Sequence, residues 1–174
     1  ALPYLDVIAA VAEAVEILDQ DAVDAYLAPL KDQPQRPRIV PGQSIGIGSH
    51  GMEMGYVEAR WKHVQALDRV KNKVDEVDKL FEDYFGRSYG GQIEEYRCDD
   101  ADCVLFTSGS AAGTAKTVVD VKRADGMKVG LIKLRLFRPF PEERLLEALR
   151  GKKAVGVIDR ALSFGWKYGP MAVE

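Results

Sequence analysis

The chain is poor in the residues that redox and metal chemistry require: two cysteines and two histidines among 174 residues. Cys98 and Cys103 lie around Asp99, Asp100 and Asp102, three acids that disfavour a thiolate, so neither reads as a reactive thiol. Structural zinc and iron–sulfur sites take four ligands, and no second cysteine pair or nearby His is available, so no metal site is expected. Reduced cysteines in a cytoplasmic protein are the expectation. A basic excess is also absent, with 24 Lys and Arg against 27 Asp and Glu, which argues against a nucleic-acid partner. Nor is there a run of about 20 apolar residues. The longest candidates, Val7 to Leu18 and Val129 to Leu136, are broken by Glu13, Glu16, Lys133 and Arg135, so no membrane span is expected. The first residues have neither a cationic start before an apolar stretch nor an initiating Met, and the chain reads as an excised fragment.

What is present divides into a loosely patterned first third and a strongly patterned remainder. The Ala-rich stretch Leu5 to Leu18 suggests a helix by propensity, and Asp19 or Asp21 could cap a short helix over Ala22 to Leu27. Pro29, Pro34, Pro37 and Pro41 then argue for an extended connector over residues 28–42, since each removes a donor and fixes φ. Residues 42–55 hold five glycines in fourteen positions, a loop that could touch phosphate or only turn the chain. A phosphate loop needs a strand before it, and a Pro-rich connector precedes this one, so turning is the preferred reading and His50 a solvated loop residue.

From Tyr56 to Phe85 there is no Gly or Pro, and Val57, Trp61, Val64, Leu67, Val70, Val74, Val77, Phe81 and Tyr84 recur every three or four residues. The spacing predicts one amphipathic helix of about 45 Å, stopped by Gly86. That exceeds the diameter of a domain of about a hundred residues, so part of the helix should lie on something else. Lys62, Arg69, Lys71, Lys73, Glu76 and Lys79 make its opposite face a solvated one.

Beyond Tyr96, short apolar runs alternate with helical stretches. Cys103–Thr107 suits a strand buried on both faces, Thr114–Ala124 a helix, Val129–Leu136 a second strand, Glu142–Leu149 a helix and Ala154–Ile158 a third strand. The β-α-β-α-β order implies parallel pairing with right-handed crossovers.

Two segments could carry recognition. The turn holding Gly109, Ser110, Gly113, Thr114 and Lys116 joins a strand end to a helix start, where free N–H groups and the helix dipole favour an anion. It lacks the third glycine of the dinucleotide fingerprint and is shorter than a P-loop, so tight packing of helix on strand is the preferred explanation of the small residues. Arg138, in the loop after the second strand, could meet a carboxylate or phosphate, or pair structurally with Glu142 or Asp159. Asp159 and Arg160 place another charge pair at the same edge. No His stands near Ser108, Ser110 or Ser163 to act as a base, so no catalytic residue is assigned.

Taken together, Gly109–Lys116, Lys128–Pro141 and Val157–Gly165 resemble the alpha subunit of pyruvate:ferredoxin oxidoreductase, in its second, transketolase C-terminal-like domain. Gly55–His63 and the helix it starts resemble the segment leading into that domain, and the likeness covers about residues 15–174. The resemblance implies oxidative decarboxylation of a 2-oxoacid with CoA to acyl-CoA and carbon dioxide, with electrons passed to ferredoxin. Thiamine diphosphate, magnesium and iron–sulfur clusters would be held by other domains and by beta, gamma and ferredoxin-like delta subunits, and none by this fragment. The Leu136–Pro141 form looks more like pyruvate or branched-chain members than 2-oxoglutarate ones. No family catalytic residue maps onto these positions.

The expectation is therefore an α/β fold, an open parallel three-layer sheet of transketolase C-terminal-like type with a long N-terminal helical arm. Its parts would be residues 1–55 as arm and Gly-rich loop, 56–91 as long helix and 92–174 as α/β domain. Its role would be a scaffold and interface with apolar surface left exposed. The rivals are an autonomous nucleotide- or CoA-binding module using Gly109–Lys116, and a stand-alone enzyme.

Overall fold

The computed structural model describes residues 17–31, 41–44 and 55–174. The expected helix over Leu5–Leu18, apart from its last two positions, and most of the glycine loop with His50 lie outside the described residues. Helix α1 (Gln20–Lys31) begins where Asp19 Oδ1 accepts the N–H groups of Asp21 and Ala22, at 3.0 and 3.2 Å. Pro29 lies inside it, which corrects the extended reading of residues 28–31. A proline in a final turn forfeits one backbone bond without having to propagate a longer helix.

Helix α2 (Tyr56–Phe85) has the bounds the spacing predicts. Gly86 closes it in the left-handed region at φ 69°, its N–H bonded to the Glu82 carbonyl, a conformation that costs glycine little. None of its residues is buried. Leu67, Val70, Val74, Phe81 and Phe85 are half-covered, whereas Tyr56, Val57, Trp61 and Val64 stand in solvent. Tyr26 of α1 meets the last turns, edge to face with Phe81 at 5.9 Å and Tyr84 at 5.5 Å.

Two aspartates join the C-terminal half of α2 to the rest of the chain. Asp75 accepts bonds from the Gln92 backbone and side-chain amides at 3.3 and 2.6 Å. Asp78 accepts from Ser88 Oγ, from the Tyr89 and Gly90 amides at 3.1 Å each and from Arg135 Nη1 at 2.8 Å.

The sheet contains β1 (Ile93–Tyr96), β2 (Cys103–Ser108), β3 (Val129–Leu134) and β4 (Ala154–Val157) in the order β1-β3-β2-β4. The strands β3, β2 and β4 are parallel, as expected, with Cys103 opposite both Val129 and Ala154. β1, absent from the sequence expectation, pairs antiparallel with β3, Ile93 opposite Leu134. The open sheet is therefore mixed rather than wholly parallel. The second and third expected strands stop two and one residues early, and helix α3 (Ala111–Ala124) starts three residues before Thr114.

Because β3 and β4 flank β2, the two crossovers run in opposite directions across the sheet, and like-handed crossovers then place their helices on opposite faces. The packing agrees. Val104, Phe106, Ile132 and Leu134 form one core with Leu145, Ala148 and Leu149 of α4 (Glu142–Leu149), joined by Met171 of the short α5 (Pro170–Val173). Leu131, with Leu105 and Val129, packs against Ala112, Ala115 and Val119 of α3 on the other. Leu131 and Ile132 are 0% exposed, which fits a strand covered on both faces.

Coverage fails at β4. All four of its residues are exposed, and among the described residues it pairs only with β2. Beside it an apolar groove of about 330 Å³ runs between β4 and α3, lined by Leu105, Val118, Val119, Val129, Val155 and Gly156.

Candidate functional site

The turn after β2 is built as the sequence implies: Gly109 takes φ 64°, a left-handed value that lets the chain reverse directly from strand into helix. Its first helical N–H groups are partly spent at home. The Ala112 amide donates to the Gly109 carbonyl at 3.3 Å and the Gly113 amide to the Ser110 carbonyl at 3.1 Å. Ser110 stands at the N-cap without a side-chain capping bond, and Thr114 is exposed.

A polar cavity of about 830 Å³ opens beside this turn, lined by Ser88, Glu94, Gly109, Ser110, Gly113, Lys116 and Lys133 among others. Lys116 is committed within it: its Nζ pairs with Glu94 Oε1 and lies 5.3 Å from the Tyr96 ring centre. Lys133 approaches the other Glu94 oxygen at 3.7 Å. One carboxylate thus offsets much of the field of two ammonium groups. Sequence reasoning missed Glu94, which is carried by β1. Its signal was only the short Ile-Glu-Glu-Tyr run, where two acids obscure the alternation of a strand.

The structure does not gather the remaining candidates at that cavity. Arg138 pairs with Glu174, lies 4.2 Å over the Phe137 ring and donates to the Phe137 carbonyl at 2.9 Å. This replaces the expected pairing with Glu142 or Asp159, because the chain brings residue 174 back to the loop. Asp159 is turned inward, accepting the Met171 and Ala172 amides at 3.3 and 3.1 Å. Arg160 is exposed and makes no ion pair with Asp159 or any other described residue.

Gly109 and Asp159 do share a second crevice, of about 370 Å³, at the carboxyl ends of the parallel strands, with Ser108, Leu134, Arg135, Phe137, Pro170 and Met171. This is where open α/β sheets present ligands, since loops leaving neighbouring strands diverge to opposite faces.

Neither crevice assembles a nucleophile, base and orienting acid. His63 lies on exposed α2 with its Nδ1 3.5 Å from Arg60, and no group of three His, Cys, Asp or Glu able to hold a metal occurs among the described residues. Cys98 is buried, its thiol 3.2 Å from the Leu131 carbonyl. Burial, aided by Glu95, pushes that thiol up from its ordinary range, away from nucleophilic character. Among the described residues no helix is long and apolar enough to cross a membrane.

Comparison with known proteins agrees with this architecture. Residues 101–174 match the family model of pyruvate:ferredoxin oxidoreductase core domain II. Pyruvate synthase subunit PorA of Methanosarcina barkeri is 37% identical over 166 residues, covering 93% of this chain and 40% of that protein. Ketoisovalerate oxidoreductase subunit VorA of Pyrococcus horikoshii is 39% identical over 153 residues, 88% of this chain and 38% of that one. NADH-dependent phenylglyoxylate dehydrogenase subunit alpha of Aromatoleum evansii is 37% identical over 169 residues, 94% and 40% respectively. The chain spans about 40% of the length of these relatives. The helix-covered open sheet is consistent with an α/β domain of transketolase C-terminal-like type. Residues 101–174 thus match core domain II of pyruvate:ferredoxin oxidoreductase, and the chain is similar over most of its length to the 2-oxoacid oxidoreductase subunits named above.

Proposed function

We propose that this chain serves as a scaffold and interface domain within the alpha subunit of a 2-oxoacid:ferredoxin oxidoreductase, with bond-making left to other polypeptide. The parent reaction on this reading converts a 2-oxoacid and CoA to acyl-CoA and carbon dioxide in the cytoplasm, reducing ferredoxin. Beta, gamma and ferredoxin-like delta subunits would be its partners. Residues 1–55, 56–91 and 92–174 would be the arm with its Gly-rich loop, the long amphipathic helix and the α/β domain. The relatives' names contain pyruvate, ketoisovalerate and phenylglyoxylate, all 2-oxoacids. Pyruvate or a branched-chain 2-oxoacid is the substrate class favoured by the Leu136–Pro141 form.

The observation that carries the proposal is apolar surface on regular elements with no partner among the described residues. Val57 and Trp61 of α2 are 80% and 61% exposed, and the β4 edge lies open beside the apolar groove of α3. Continuous apolar surface of this kind marks contact with another polypeptide.

Thiamine diphosphate with magnesium, and iron–sulfur clusters, are the groups the family implies. Among the described residues no group of three His, Cys, Asp or Glu could hold a metal, and one of the two cysteines is buried against backbone carbonyls, which favours placing the metal-bearing groups elsewhere. These groups would sit in other parts of the complex. Gly109, Ser110, Gly113, Thr114, Lys116, Arg138, Asp159 and Arg160 remain candidate interface contacts. The commitment of Lys116 to Glu94 favours this over a phosphate site.

Calorimetric titration of the chain with CoA, ADP and thiamine diphosphate should give no binding tighter than about millimolar. The chain alone should not turn over pyruvate with CoA and ferredoxin. Micromolar affinity abolished by Gly113→Val would make it a nucleotide or CoA module instead, and turnover would make it a stand-alone enzyme.

A further inference from the structure

The polar cavity beside the Gly109 turn takes charged side chains from three elements: Glu94 of β1, Lys133 of β3 and Lys116 of α3. Glu94 and Lys133 stand directly opposite each other in the antiparallel register, so their side chains share one face of the sheet. Opposite charges so placed attract and pair across the strands. Here the pairing is incomplete. Glu94 gives its Oε1 to Lys116, and Lys133 Nζ stops 3.7 Å from the other oxygen. Among the described residues no acceptor comes within hydrogen-bond distance of that ammonium group, although its side chain is only 30% exposed. The Ser110 hydroxyl in the same wall makes no side-chain capping bond.

We propose that this cavity is a binding site for a single carboxylate group, with Lys133 as the recognising cation and the Ser110 hydroxyl as a second donor. Two ammonium groups against one carboxylate leave one positive charge in the wall. That charge matches a monoanion, and Glu94, held beside it, repels each further negative charge that a polyphosphate would bring. Lys133 supplies the gain on binding: an incoming carboxylate satisfies a cation that the fold has partly withdrawn from solvent without giving it a hydrogen-bond acceptor. Glu94 is itself the precedent, a carboxylate already seated on one of the two lysines. The ligand is a small free acid or the Asp or Glu side chain of a neighbouring polypeptide, two sources of the same chemistry. The site does not depend on the subunit assignment, because every group in it belongs to this chain.

The test is NMR titration of the 174-residue chain with sodium acetate replacing sodium chloride at constant ionic strength and neutral pH. The Gly109, Ser110 and Lys133 amides should shift in a saturable way below about 100 mM acetate. Lys133→Met should weaken binding at least about fivefold, whereas Glu94→Gln, which uncovers both lysines, should tighten it by a similar factor. Lys62→Met, the same loss of charge near the start of α2, should leave the affinity unchanged. A capped Ala-Ala-Glu-Ala-Ala peptide separates the two sources: tighter binding than acetate points to the side chain of a neighbouring polypeptide, and equal or weaker binding to a free acid. No saturable shift in the wild-type chain overturns the site, and that result needs no variant to fold. Unchanged or weaker binding in Glu94→Gln also overturns it, as does an equal effect of Lys62→Met and Lys133→Met. Loss of this site would leave the scaffold reading standing, since that reading is tested by CoA, ADP and thiamine diphosphate binding and by turnover.

Discussion

Asp78→Asn should weaken the joint between the long helix and the sheet, and do so in a pH-dependent way. The carboxylate receives Ser88 Oγ, the Tyr89 and Gly90 amides and the Arg135 guanidinium. Burial is the largest single influence on its pKa and acts upward. The bonds from Ser88, Arg135 and the Tyr89 amide, with the charge of Arg135, together outweigh it and lower the carboxyl from 3.8 to about 2. At ~1.4 kcal/mol per tenfold, that gap corresponds to roughly 2.5 kcal/mol. Solvent at the rim of the joint screens the charges and reduces the figure to about 1–2 kcal/mol. Because the folded value is the lower one, the contribution is complete above the unfolded value near 3.8 and is lost as pH falls toward 2. Urea unfolding followed by circular dichroism should show the variant less stable by about 1–2 kcal/mol at pH 7 and the difference narrowing near pH 2.5. A difference that is the same at both pH values, or none at pH 7, would refute the charge-based account of the joint.

Two further changes probe the body of the domain. Gly130→Ala would put a Cβ 2.8 Å from the Arg97 carbonyl and 3.1 Å from Cys98 Sγ near the start of β3, so a loss of about 1–3 kcal/mol is expected in chemical denaturation, and a neutral result would mean that the loop of residues 97–101 yields freely. Ile132→Ala, at a position 0% exposed between Phe106 and Leu134, should cost about 2–5 kcal/mol by the same measurement, and a smaller cost would mean that the α4 face collapses onto the vacancy.

The amino-acid order alone carried the local elements. Thirty residues without Gly or Pro and with apolar positions every three or four residues specify α2 to the residue. The runs around Leu105, Leu131 and Val155, each bounded by turn residues, specify three strands, because those signals act over one or two turns of chain. β1 was invisible since a four-residue strand with two acids has no periodicity of its own. It exists because β3 offers it an edge and because Asp75 bonds Gln92, the residue that precedes it. Pro29 misled for the converse reason, a local breaker tolerated where the helix was already ending.

The candidate contacts divide along the same line. That a glycine turn joins a strand end to a helix start at Gly109 follows from sequence spacing, and the likeness of the motifs from Gly109 to Gly165 to one family is a property of the linear string. Which groups those residues meet is not. Lys116 meets a carboxylate 22 residues earlier and Arg138 one 36 residues later, while Asp159 reaches amides 12 and 13 residues on. Short-range preference determines where helices and strands form. The pairing of distant charges, the open edge at β4 and the place of Met171 in the wall of the carboxyl-end crevice depend on how those elements stack, and only the tertiary structure decided them.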